Sequence, residues 1–202
     1  MCSADAYDLM SAWVRDLLTT SSPSAATAEA VDPLAAIHET LAAYQPQIQA
    51  CQVDVELSLP DTAQLVVSQR VLLLQVFNSL VSNALEAMPK GGKLGIKVSK
   101  GDVERKIVII VSDTGNGMSD TQRKRLFQPF TTTKQGGLGV GLVMVKRIME
   151  RFGGSVDIHS KQHEGTRVEL TLHLAGWLQD FGLSRLSRHF ASSSPTRDIN
   201  SP

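Results

Sequence analysis

"VSDTGNGMSD", residues 111–120, follows the apolar run "KIVIIV" at 106–111. A run this short and this rich in β-branched residues reads as a buried strand. It delivers an aspartate, Asp113, and then two glycines one residue apart, Gly115 and Gly117. Asp-x-Gly after a strand can be an ordinary turn, so the meaning of the stretch is set by its surroundings.

Working outward, "GGKLGIKVSK" at 91–100 and "RKIVIIVSD" at 105–113 read as two strands joined near a Gly-Asp turn. After the glycines, "GLVMVKRIMERF" has helical spacing, Gly153-Gly154 interrupts, and "SVDIHS" and "TRVELTLHL" form a closing pair of strands. Upstream, "PLAAIHETLAAYQPQIQA" from Pro33 is a helix. "VDVELSLP" alternates Val53, Val55, Leu57 and Leu59 with polar residues as a half-buried strand does, and a further helix runs from about Ser68 to Met88. The expected fold is an α/β two-layer sandwich, with a mixed sheet covered on one face by about three helices. This domain is expected over 31–175. Before it, residues 1–30 hold a short helix, "DAYDLMSAWVRDLLT", and a Ser/Thr/Ala-rich linker. After it, 176–202 hold a weakly amphipathic stretch and a polar end.

Composition excludes several classes of function. Twenty basic and twenty acidic residues among 202 give zero formal net charge, which is no footprint for nucleic acid, so any anionic ligand must be held locally. Cys2 and Cys51 have neither disulfide-framework nor zinc-ligand spacing, and a reducing compartment is expected. No apolar run approaches the roughly 20 residues that span a bilayer, and the N-terminus lacks a signal-peptide profile. A soluble, cytoplasmic chain is expected, as it stands or as the cytoplasmic part of a larger sensor.

Two further segments carry chemistry. In "QVFNSLVSNALEAMPKGG", residues 75–92, the side chains Val76, Phe77, Leu80, Val81, Ala84, Leu85 and Met88 cover the faces expected to pack on the sheet. Ser79, Asn83, Glu86 and Lys90 follow one another on a stripe that is either a ligand surface or the wet side of the helix. In "LFQPFTTTKQGGLGVGL", residues 126–142, Gly137, Gly139 and Gly141 lead into a helix. Glycines there allow close backbone approach, and free N–H groups at a helix start suit phosphate oxygens.

In this order, "NALEA", "DTGNGM", "FQPFTTTK", "GLGVGL" and "EGT" resemble the N, G1, F, G2 and G3 boxes of the ATP-binding domain of sensor histidine kinases. That domain belongs to a superfamily that includes gyrase, Hsp90 and MutL. The resemblance covers residues 31–174 and implies the Bergerat-type ATP-binding fold. It implies that Asp113 reads adenine through the exocyclic amine while Gly115 and Gly117 keep the pocket open. Asn83 would ligate magnesium through its amide oxygen, and Lys134 would neutralise phosphate. Thr166 would support adenine by way of water. The nucleotide would be lined by Asn83, Glu86, Asp113, Gly115, Gly117, Met118, Phe130, Thr132, Thr133, Lys134, Gly137, Leu138, Gly139, Val140, Gly141, Leu142 and Thr166, with Asn83 and Lys134 the catalytic pair and Asn83 the metal ligand. Phe127 and Phe130 would anchor the lid, if they are not simply core aromatics. The cofactors implied are ATP and Mg2+. The partners implied are a histidine-bearing dimerisation domain and a response regulator, with homodimerisation as a further option and no nucleic acid or membrane.

The sequence departs from this pattern in two places. A second asparagine usually stands four residues before the magnesium ligand, and here that place is Ser79, with Asn78 one step out of register. Gyrase-like ATPases hold a water-activating glutamate there, a task serine cannot perform. The phosphoacceptor box is also missing: "IHETL" contains His38 and Glu39 but lies in the first helix of the domain, where an ordinary helix histidine is expected. His159, His163, His173 and His189 read as surface, sheet or tail histidines, and residues 5–19 resemble the second helix of a dimerisation hairpin. The expected activity is therefore γ-phosphoryl transfer from Mg-ATP to a histidine on a companion segment. A serine kinase of the anti-sigma-factor type and a nucleotide-sensing module that transfers nothing are the alternatives.

Overall fold

The computed structural model describes residues 28–62, 64–101, 105–127 and 140–176. Its elements run β1 (Glu29–Val31), α1 (Pro33–Ala50), β2 (Val53–Ser58), β3 (Val66–Ser68), α2 (Arg70–Ala87), β4 (Gly92–Lys100), β5 (Lys106–Asp113), α3 (Asp120–Arg123), α4 (Gly141–Arg151), β6 (Ser155–Lys161) and β7 (Gly165–His173).

Local chemistry sets the helix starts. Asp32 caps α1 by accepting a hydrogen bond from the Leu34 amide at 2.8 Å, and Pro33 supplies a preset φ in the first turn. Ser119 and Gln122 form a reciprocal capping box that starts the single turn of α3. The seven apolar residues expected to pack inward, six in α2 and Met88 just after it, are all at most 5% exposed.

The main sheet has the order β2-β4-β5-β7-β6, with β2 parallel to β4 and the remaining pairs antiparallel. Alternation then sorts the two faces. Leu94, Ile96 and Val98 of β4 share one face with Ile107, Ile109 and Val111 of β5 and with Val168, Leu170 and Leu172 of β7. These nine form one core with α1, α2 and α4. The opposite face carries ion pairs such as Lys93–Glu56 and Arg167–Glu169. Three long helices on one face of a mixed sheet is the expected architecture.

Two short strands were not legible. Glu29–Val31 pairs antiparallel with Val66–Ser68 as a separate two-stranded sheet, so the folded part begins before residue 31 and Ser68 ends a strand rather than starting α2. Three residues are too few to display alternation, and Val66, Val67 and Ser68 are all buried, which removes the polar beat. The expected helix at 5–19 and the tail from 177 lie outside the described residues.

Candidate functional site

Across the helix-facing side of the sheet the rows are apolar until the last. The row of Ile96, Val111, Val168 and Ile158 is followed by one of Leu94, Asp113, Thr166 and Ser160. Three neighbouring strands thus change from apolar to polar at the same level, and polar groups in such a place are tolerated only with partners. Ser160, 6% exposed, donates to the Gly165 carbonyl at 3.0 Å and lies 3.0 Å from the Thr166 hydroxyl oxygen. Asp113 accepts the Gly115 amide at 2.8 Å and is half-buried. The sequence reading overlooked Ser160, although Val156, Ile158 and Ser160 alternate onto one face and the last of them is a polar residue at a core position.

The glycines mark close approaches. A Cβ on Gly115 would stand 2.6 Å from the Cβ and carbonyl oxygen of Ala87. The next amide, of Asn116, donates to that same carbonyl at 3.1 Å. Gly117 has φ +58°, and a Cβ there would stand 2.0 Å from the Lys161 carbonyl oxygen. The segment after β5 is therefore pressed between the last turn of α2 and the β6–β7 turn. Thr114 ties it to β4, accepting the Lys93 amide at 2.9 Å.

Further along α2, a Cβ on Gly141 would stand 2.7 Å from the Ser79 hydroxyl oxygen and 3.8 Å from the Asn83 amide nitrogen. The first turn of α4 thus lies directly on the polar stripe of α2. Val140, at the N-cap position, provides no side-chain acceptor, so the N–H groups of this 11-residue helix are not capped by it, as an anion site requires. At the place of the departure, the small hydroxyl of Ser79 lies directly under Gly141. Ala87 and Ser79 are eight residues apart, about 12 Å along the helix. A ligand recognised at Asp113 would lie along α2 with its far end at Asn83 and Ser79.

The remaining expected residues divide into three groups. Asn83, Met118 and Leu142 are half-buried, and Val140 is buried. Glu86 is exposed and accepts from the Ser82 hydroxyl at 2.8 Å. Phe130, Thr132, Thr133, Lys134, Gly137, Leu138 and Gly139 lie outside the described residues. Phe127 is half-buried beneath the Lys146 ammonium, 4.8 Å from its ring centroid. The donor set suits a polyphosphate with a hard cation. Asn83 has an amide oxygen to offer, and among the described residues no group of three His, Cys, Asp or Glu side chains is placed to hold a metal by itself. Magnesium is ordinarily held by few protein oxygens together with substrate phosphates. A cleft of about 340 Å³ opens between Lys90, Gly91, Asn116 and His163. It shares Ala87 and Gly115 with the expected site but not Asp113 or Asn83.

Comparison with known proteins bears on the same segments. Residues 68–176 match the family model of the histidine kinase-, DNA gyrase B- and HSP90-like ATPases. Sporulation kinase D of Bacillus subtilis (strain 168) is 42% identical over 121 residues, covering 59% of this chain and 24% of that protein. The chain therefore spans about a quarter of the length of this relative. Two solved structures share the fold. Full-length ShkA in complex with AMPPNP has a TM-score of 0.69 at 20% identity, covering 85% of this chain and 37% of that one. Histidine kinase ThkA in complex with the response regulator TrrA has a TM-score of 0.66 at 21% identity, covering 85% and 49%.

Proposed function

The chain belongs to the histidine kinase-, DNA gyrase B- and HSP90-like ATPase family, and on that premise we propose that it is the catalytic and ATP-binding portion of a sensor histidine kinase. It binds Mg-ATP and passes the γ-phosphoryl group to a histidine on a companion dimerisation domain. The observation that carries this reading is the coincidence of the polar sheet row, Asp113–Thr166–Ser160, with two glycine approaches to one helix, Gly115 on Ala87 and Gly141 on Ser79.

Each residue then has a task. Asp113 accepts the exocyclic amine of adenine, its carboxylate aimed by the Gly115 amide. Thr166 supports the base beside it. Asn83 ligates the cation, and the first amides of α4 take phosphate oxygens. Lys134 adds positive charge at the phosphates. Magnesium, when bound, neutralises charge developing on the phosphoryl oxygens. Catalysis is by positioning and electrostatics, and Ser79 offers no carboxylate to activate water. The nucleotide domain, expected over 31–175, takes in β1 and so starts by Glu29, with a segment resembling a dimerisation helix ahead of it and a tail over 176–202 behind. The phosphorylated partner hands its phosphoryl group to a response regulator, the kind of protein with which ThkA is complexed, and the setting is cytoplasmic. Among the described residues no helix is long and apolar enough to cross a membrane. Ser79 also favours a second reading, a module that binds ATP and transfers nothing.

Asp113→Asn tests the assignment. The amide keeps an acceptor for Gly115 but presents a donor where adenine also donates. A lost charged hydrogen bond is worth about 1.5–3 kcal/mol, a tenfold or greater loss of affinity with the fold intact. Unchanged binding of a fluorescent ATP analogue would refute the role of Asp113.

A further inference from the structure

We infer that Ser160 fixes the hydrogen-bond polarity of Thr166, and thereby makes the site select a purine with an amino group at position six over one with a keto oxygen there. The inference rests on the proposed nucleotide binding and concerns which base is accepted. A serine hydroxyl has one hydrogen. Ser160 lies 3.0 Å from two oxygens, the Gly165 carbonyl and the Thr166 hydroxyl. Both bonds can be made at once in only one way: the carbonyl can only accept, so Ser160 donates its hydrogen to Gly165 and Thr166 donates its own to Ser160. With its hydrogen turned back toward Ser160, Thr166 faces the ligand side with lone pairs. Its neighbour in the same row is the Asp113 carboxylate, which also only accepts.

Two side by side acceptors demand donors from the ligand or from a bridging water. An exocyclic amine supplies them, whereas a keto oxygen at the same place brings another acceptor. Such a mismatch leaves polar groups unpaired and is the kind that discriminates strongly between otherwise similar substrates. The arrangement is held rigidly: Ser160 is 6% exposed, and Gly165 has φ +90° and is packed against the Asp113 carbonyl. Ser160 touches neither base nor phosphate and is a positioning residue.

The test measures displacement of a fluorescent nucleotide by ATP and by inosine triphosphate, which differ at position six. In Ser160→Ala the hydrogen of Thr166 is released and can turn toward a keto oxygen. The preference for ATP should fall at least fivefold, mostly through tighter inosine triphosphate binding. In a Thr166→Val background Ser160→Ala should leave the ratio unchanged. Ser160→Cys, with a weaker donor, should give an intermediate ratio and serves if the alanine variant does not fold. Equal loss of both nucleotides with the ratio preserved would overturn the inference and leave nucleotide binding standing. A parent protein that binds neither nucleotide would overturn both.

Discussion

Gly165 passes so close to Asp113 that a Cβ on it would stand 2.0 Å from the Asp113 carbonyl oxygen. The residue that ends the β6–β7 turn and the residue proposed to read the base are thus in close approach, and the turn sets the level at which Asp113 sits. Gly165→Ala cannot be absorbed, because its φ of +90° is strained for any side chain and the obstacle is backbone. Backbone strain and overpacking together cost roughly 2–5 kcal/mol. Urea unfolding should show that loss, and ATP-analogue binding should fall with it. Gly176→Ala is the control: a Cβ there meets nothing within 4 Å, and its stability should change by less than about 0.5 kcal/mol.

Asn83 should govern the cation rather than the base. Replacing it by alanine removes an oxygen at the proposed phosphate end of the line along α2, some distance from Asp113. ATP binding by Asn83→Ala should no longer be strengthened by magnesium, while binding measured in chelator should match the parent. Titrations with and without magnesium decide this, and a magnesium effect of undiminished size would remove Asn83 from the metal site.

How much of this was legible can be judged from particular residues. The inward face of α2 is a local pattern, and all seven side chains chosen from the sequence are buried. Asp113, Gly115 and Gly117 follow one another in the sequence, so their motif is visible without a fold. The match between Ser79 and Gly141 is not, because the two residues are 62 positions apart and become neighbours only when α4 docks on α2. Ser160 was visible in principle by alternation, but its partners Gly165 and Thr166 are assigned by the hairpin register. The pairing of β1 with β3 joins two three-residue segments across the whole of α1, a contact that no short-range pattern records.

Stability should fall on acidification through His173. Its ring nitrogen Nε2 lies 3.0 Å from the Gly153 carbonyl oxygen, and its cross-strand neighbour in β5 is Lys106. Burial, and then the Lys106 charge, hold its pKa below the ordinary 6.5, outweighing the carbonyl, which acts in the opposite direction. The native state therefore prefers neutral imidazole, and below about pH 6.5 the unfolded chain binds more protons. The native state is fully favoured above that pH and loses this advantage as pH falls through the lowered native pKa. The urea midpoint should drop as pH falls below about 6.5, and His173→Gln should flatten the drop. An identical slope in the variant would assign the acid sensitivity to other groups.

The isolated chain should not phosphorylate itself. His38 is exposed on α1, and Glu39 beside it is ion-paired with Arg70 in the first turn of α2. Glu39, not His38, thus links the start of α2 to α1. Ser79 and Asn83 lie nine and thirteen residues beyond Arg70, about 14–20 Å along the helix, so His38 is far from the proposed phosphate end. Incubation with radiolabelled Mg-ATP should leave the protein essentially unlabelled, with at most slow hydrolysis, since Ser79 is no general base. A separately supplied dimerisation domain should acquire label that is lost in acid and kept in base, as a phosphoramidate is. His38→Ala should transfer to that domain at the parental rate. Robust acid-labile labelling of the lone chain, abolished by His38→Ala, would instead make His38 the acceptor and require α1 to swing away from α2 during the reaction.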